Sequence, residues 1–165
     1  MRGLVPAMTK KYKTRFVKET IFMPTLIAKL LDQTWFMILA RVVLTSAFWG
    51  SGLAKSLDFQ AGVAEMTQLG FSNPVLINVL TFTTQLVGSA LIIFNRWTWL
   101  GAGMLGVFTA LTIPLVHHFW TMKGEEAMIH FFFVAEHMSI IGGLMVIAIL
   151  SRLTGGPGNG PKRTI

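Results

Sequence analysis

The sequence predicts an all-α protein, an integral membrane four-helix bundle with an N-terminal interfacial amphipathic helix. Three observations predict it. Four apolar stretches, Trp35 to Leu53, Pro74 to Phe94, Trp97 to Phe119 and Ala127 to Leu150, are each about as long as a helix needs to cross a bilayer, roughly 20 residues. Of 165 residues, 53% are hydrophobic and 13% charged, which leaves room for these spans and an N-terminal segment but for no separate soluble domain. The basic residues, finally, are distributed by side of the membrane rather than along one face of a helix. A globular arrangement would need polar helix faces to meet water, and these stretches carry almost none.

The net charge of +7 follows membrane sidedness rather than nucleic-acid binding. Arg2, Lys10, Lys11, Lys13, Arg15, Lys18 and Lys29 precede the first span, Arg96 lies between the second and third, and Arg152, Lys162 and Arg163 follow the fourth. The opposite side holds only Lys55 and Lys123. By the positive-inside tendency both termini are cytoplasmic, and the 54–73 and 120–126 loops face outward. There is no cysteine, which excludes thiol relays, disulfides, thiolate metal sites and thiol-attached haem. No short apolar core with a small-residue cleavage site precedes the first span, which is expected to act as an uncleaved signal anchor.

The elements follow in order. Residues 1–34 form a cytoplasmic basic segment in which Phe16, Val17, Ile21, Phe22, Leu26, Ile27, Leu30 and Leu31 share a broad face, broken or kinked at Pro24. One or two short helices along the lipid interface fit this pattern, and a docking surface for a partner subunit fits it too. The membrane domain covers 35–150. Its second and third spans are joined only by about Asn95 and Arg96, which demands a tight antiparallel hairpin. The third and fourth are joined by Thr121 to Glu126, and the loop from Ser56 to Asn73 has a helix-like middle, Gln60 to Gln68, ending at Gly70 and Pro74. The glycine- and proline-rich tail, 151–165, is read as disordered and cytoplasmic.

Trp35, Trp97, Trp99 and Trp120 stand near span ends, where an indole prefers the membrane interface. Gly50, Gly52, Gly88, Ser89, Gly101, Gly103, Gly106, Gly142 and Gly143 place small residues in every span, so helix backbones can approach closely. The run GAGMLG, Gly101 to Gly106, spells a dinucleotide fingerprint, but it lies inside an apolar span with no preceding strand and reads as packing.

Lipid offers no partner for free polar groups, so the polar residues inside the spans are the functional candidates. They gather toward the outer half: His117 and His118 end the third span, His130 begins the fourth, Lys55 ends the first, and Gln85, Glu136 and His137 lie deeper. Because spans three and four are antiparallel neighbours, His117 or His118 stands level with His130. His130 and His137 share a helix face about 10 Å apart, too far for one metal but suited to a proton path or an elongated ligand. Four histidines leave haem or metal ligation open, beside the reading of polar residues at the water boundary. Glu136, about ten residues into an apolar helix, needs a partner, with Gln85, His137, the Gly50–Gly52 backbone and Lys55 as candidates. Arg41 is expected to snorkel to phosphate or to pair inside the bundle, and Lys55 with Asp58 to form a local ion pair.

From about Ala40 to Leu150 the chain resembles the DoxX-like four-helix membrane proteins. The resemblance rests on ARVVLTSAFWGSGLAKSLDF with Arg41, Lys55 and Asp58, on QLVGSALIIF, and on LVHHFW leading to SIIGGLMV. Where the family's second helix usually carries a glutamate, this chain has Gln85, and residues 1–34 have no counterpart. The resemblance implies a poorly characterised group, some of whose members are subunits of thiosulfate:quinone or terminal quinol oxidoreductases, while others associate with redox-stress proteins. The expectation is therefore an accessory or quinone-interacting subunit of a bacterial redox complex, multi-pass in the cytoplasmic (inner) membrane. Quinone is its cofactor, the bilayer and other redox subunits are its partners, and Glu136, His137, His130, His117 and Gln85 are its candidate ligand or proton-path residues. A non-catalytic scaffold and a small-molecule carrier are the alternatives. Whether the chain is itself an enzyme is not decided at this level.

Overall fold

The computed structural model describes residues 24–162. Residues 1–23 and 163–165 lie outside the described residues, and with them most of the predicted basic interfacial segment. The chain divides after Met37 into two units. In the first, Pro24 stands extended just before α1 (Thr25–Leu31), where its missing N–H costs no helical bond. Leu26, Ile27, Leu30 and Leu31 of this two-turn helix are exposed.

The first predicted span is broken. Helices α2 (Thr34–Leu44) and α3 (Ser46–Leu57) meet at 58°. Side chains compete for the carbonyls at the junction: the Thr45 hydroxyl donates to the Arg41 oxygen (2.8 Å) and the Trp49 indole N–H to the Val42 oxygen (3.2 Å). Carbonyls served this way no longer hold the next turn in line, a standard origin of helix kinks. Arg41 does not snorkel. It is buried, and its guanidinium donates to the Ile92 carbonyl (3.2 Å), placing a cation at the C-terminal end of the second-span helix.

Asp58 is not Lys55's partner either. Its carboxylate accepts from the Ala61 N–H (3.0 Å) and caps α4 (Phe59–Gln68), the helix expected in this loop. Asn73 caps α5 (Pro74–Ile93) in the same manner through the Leu76 N–H, with Pro74 opening the helix. After a turn in which Asn95 and Trp97 adopt positive φ, α6 (Thr98–Val116) runs back, ending two residues beyond Pro114. A 3₁₀ turn (Phe119–Thr121) leads to α7 (Gly124–Thr154), whose first turn carries Glu125 and Glu126 where the helix dipole favours acids. Among the described residues three helices are long and apolar enough to cross a membrane, or four if the bent α2–α3 pair counts as one span.

Helices α5 and α6 touch most closely near their hairpin. A Cβ on Gly101 would stand 2.7 Å from the Gly88 carbonyl oxygen, and one on Gly88 would stand 2.7 Å from Leu105 Cγ, so only glycines permit this approach. Ile92, Leu105 and Leu144 are fully or almost fully buried there, with Phe48, Ala102 and Ile147 completing the core. Other glycines of the spans, Gly50, Gly103, Gly106 and Gly142, meet nothing within 4 Å. The expectation of close packing holds for some small residues and not for these.

The tail is ordered through Lys162, contrary to the disorder expected from its composition. Residues 151–154 complete α7, and the following chain turns back with Gly156 paired to Gly160. Asn159 is fully buried: its side-chain oxygen accepts from the Thr98 N–H (2.7 Å), and its amide donates to the Asn95 carbonyl (3.1 Å), the Asn95 side chain (3.0 Å) and Thr98 Oγ1 (3.3 Å). Arg152 donates to the Asn159 carbonyl, and the Trp99 indole to that of Gly158. Glycine is required at 158, where φ is +75° and a Cβ would collide with the Trp97 ring. One asparagine thus satisfies polar groups of the α5–α6 turn that the fold buries. Replacing Asn159 with alanine is expected to lower stability by about 2–3 kcal/mol, because the Thr98 N–H loses its acceptor. Equilibrium unfolding of the purified variant in detergent checks this, and wild-type stability would show the clasp to be dispensable.

Candidate functional site

The other half of the bundle is open. A cavity of about 540 Å³ lies among α3, α4, α5, α6 and α7, lined mostly by apolar side chains such as Leu80, Leu111, Leu115 and Ile140, with Phe48 and Phe108 meeting edge to face. The polar groups at its wall come from different helices.

One group begins with Gln85. A Cβ on Gly52 would stand 3.2 Å from Gln85 Cβ and 2.9 Å from Leu86 Cγ, so this glycine lets α3 lie directly against α5. Gln85 is 5% exposed, and its Nε2 donates to Ser51 Oγ (3.3 Å). Its Oε1 is buried with no hydrogen-bond partner. Ser51 also receives the Lys55 ammonium (3.4 Å), which forms an ion pair with Glu65 (2.7 Å). The series Glu65, Lys55, Ser51, Gln85 therefore runs from the half-exposed loop helix α4 into the bundle. Solvent screening at Glu65 keeps the pair's worth in stability small, and its effect is chiefly to fix where Lys55 points.

The second group is histidine. His117 is the residue on which α6 ends, released from the helix just after Pro114. Its Nδ1 lies 3.1 Å from His130 Nδ1, so one proton is held between the two rings. The His137 ring is 4.9 Å from the His117 ring, and His137 Nδ1 lies 2.7 Å from the Phe133 carbonyl oxygen. A carbonyl can only accept, so the proton of neutral His137 sits on Nδ1 and leaves Nε2 with a bare lone pair. His117 and His137 line the cavity, and His130 backs His117 from behind. His118 stands outside the cluster, its ring 6.5 Å from Trp120. Among the described residues no group of three or more His, Asp or Glu side chains has the arrangement of a metal site.

The structure therefore brings together Gln85, His117 and His137 around one cavity, with His130 in contact. It does not bring in Glu136. Turned about 100° from His137 around α7, Glu136 is exposed, does not line the cavity, and bonds to none of the partners expected for it. Ser51 and Glu65 were not singled out from the sequence. Ser51 lies one turn from Lys55 on α3, a signal the spacing did contain. Glu65, in contrast, meets Lys55 only because α4 folds back.

The DoxX family profile matches residues 36–118. The chain belongs to the DoxX family. It is also 27% identical over 116 residues to inner membrane protein YphA of Escherichia coli (strain K12), which covers 68% of this chain and 81% of the relative. No solved structure matches. The family match takes in Ser51, Gln85 and His117, whereas α7, with His130 and His137, follows it. In this DoxX protein the histidine cluster thus joins a family-matched helix end to a helix beyond the match.

With ¹⁵N-histidine labelling, His137 is expected as the Nδ1–H tautomer, and a coupling across the His117–His130 nitrogens should vanish in His130→Gln. An Nε2–H tautomer at His137 would contradict the geometry.

Proposed function

We propose that this DoxX protein is a quinone-interacting membrane subunit of a bacterial redox complex, and that the cavity receives the ring of a quinone-pool molecule, oxidised or reduced. One observation carries the reading: a largely apolar cavity of about 540 Å³ within a spanning bundle, with polar side chains from several helices, Ser51, Gln85, His117 and His137 among them, converging on its wall. Such a site suits a ligand with an apolar body and polar edges.

Access supports the same class. Helix α3 packs on α4 and α5, and α7 on α6 and the 3₁₀ turn, while α3 and α7 make no extensive contact. Ala47 and Ser51 on one helix and His137 and Ile140 on the other border the cavity at that side, a route for a molecule dissolved in the bilayer. Positive-inside sidedness puts the hairpin end in the cytoplasm and the cavity in the outer half. The hairpin half is closed by Ile92, Leu105 and Leu144, and Arg41 is engaged at the end of α5, which weighs against a carrier with a path through both halves. Electron exchange with the bound ring falls to a partner redox subunit.

Filling the cavity is the direct test. In Leu80→Trp or Thr112→Trp protein reconstituted in nanodiscs, affinity for decylubiquinone is expected to fall at least about tenfold, since the added ring occupies ligand volume. Unchanged affinity in both variants would remove the cavity from the account.

A second reading, a scaffold docking on a larger complex, is favoured by Glu136. An exposed carboxyl within an apolar 31-residue helix costs about 3 kcal/mol in lipid and fits a partner helix that carries a donor at that depth. On this reading Glu136→Leu abolishes co-purification of partner subunits while leaving quinone binding intact. Retained partners would dismiss it.

A further inference from the structure

We infer that Lys55 and Ser51, one turn apart on α3, form a donor corner that takes one of the two oxygens of the bound ring and so sets which way round the ring lies. The inference rests on the quinone reading above and adds the residues that orient the ligand.

Serine and threonine hydroxyls inside helices commonly donate to a backbone carbonyl three or four residues back. Those of Ser89, Thr109, Thr112, Ser139 and Ser151 do so here. Ser51 does not. Its oxygen instead receives two donors, the Lys55 ammonium (3.4 Å) and the Gln85 amide (3.3 Å). A hydroxyl has two lone pairs and one hydrogen, so with both lone pairs engaged Ser51 can only donate further. Among the described residues its hydrogen has no acceptor.

Lys55 is in a similar position. Of its three ammonium hydrogens one goes to Glu65 (2.7 Å) and one to Ser51, which leaves a third. Lys55 and Ser51 both line the cavity, and among the described residues Lys55 is the one lysine or arginine in its wall. Its side chain is only 14% exposed and Glu65 holds the ammonium, so the position of the charge is set before a ligand arrives.

Two unspent donor hydrogens, one of them on a cation, therefore stand side by side on the α3 wall. A ring oxygen accepts from them whether it is a carbonyl or a hydroxyl, so the corner serves both redox forms. It does distinguish the two oxygens of the ring. They lie on opposite edges, and only one can occupy the corner.

Infrared difference spectroscopy tests this on the full chain in nanodiscs, with decylubiquinone carrying ¹³C at one carbonyl or at the other. One carbonyl stretch is expected at clearly lower frequency than its counterpart, because a charge-assisted hydrogen bond weakens the C=O bond it reaches. Lys55→Met should remove most of that difference and lower affinity at least about tenfold, and Ser51→Ala should lower affinity about fivefold. Equivalent carbonyls in the wild type, or a difference undiminished in Lys55→Met, overturn the assignment while leaving the quinone reading standing. Failure of decylubiquinone to bind overturns both. If the variants fail to fold, wild-type protein with ¹⁵N-lysine decides: a dipolar coupling between a lysine Nζ and the lowered carbonyl carbon is expected, and its absence overturns the assignment.

Discussion

The contact between α5 and α6 at Gly88 and Gly101 is the constraint on which the rest of the bundle depends. In lipid, helices gain little from hiding apolar surface, and association comes from close packing and from hydrogen bonds between helices. Two glycines facing each other bring two backbones to the limit of approach and secure the hairpin end. The core residues Ile92, Leu105 and Leu144 gather around that point, and the Arg41 guanidinium and the Asn159 side chain satisfy polar groups at the ends of the same helices. Beyond it, Ile77, Leu80, Thr81 and Thr84 of α5 and Phe108, Leu111, Thr112 and Leu115 of α6 line a cavity. A tightly fastened end and an open end are two consequences of one arrangement.

The open end is organised by short hydrogen-bonded series. Glu65 holds Lys55, Lys55 and Gln85 both donate to Ser51, and the Gln85 Oε1 atom is left buried without a partner. On the other wall Phe133 fixes the tautomer of His137, and His130 engages one face of His117. In each series one partner determines what the next side chain can offer. This is the logic by which neighbouring partners set the role of a cavity side chain.

Much of this fold was legible in the sequence, because the length of an apolar run and the shortness of a connection have direct geometric meaning. The Asn95–Arg96 link required a hairpin, and the helix at 59–68 followed from its own pattern. Gln85, His117 and His137 were legible as polar residues that lipid would not tolerate idly. What could not be read depended on side chains meeting across the fold. The break at Thr45 comes from Trp49 reaching back to Val42, and Lys55 takes Glu65 because Asp58 is already committed as a cap. The tail looked disordered by composition, yet its glycines are what let Asn159 enter the α5–α6 turn. Glu136 and His137 are adjacent in sequence, and only the rotation of α7 against α6 decides that the histidine faces the cavity and the glutamate does not.

Photo-crosslinking with an azido-substituted quinone, followed by peptide mapping, tests the central claim most directly. The account predicts labels on α3 and α5 around Ser51 and Gln85 and on α7 at His137, competed away by unlabelled ligand. Labels confined to the exposed face of α7 around Glu136, or spread evenly over lipid-facing residues, would contradict it.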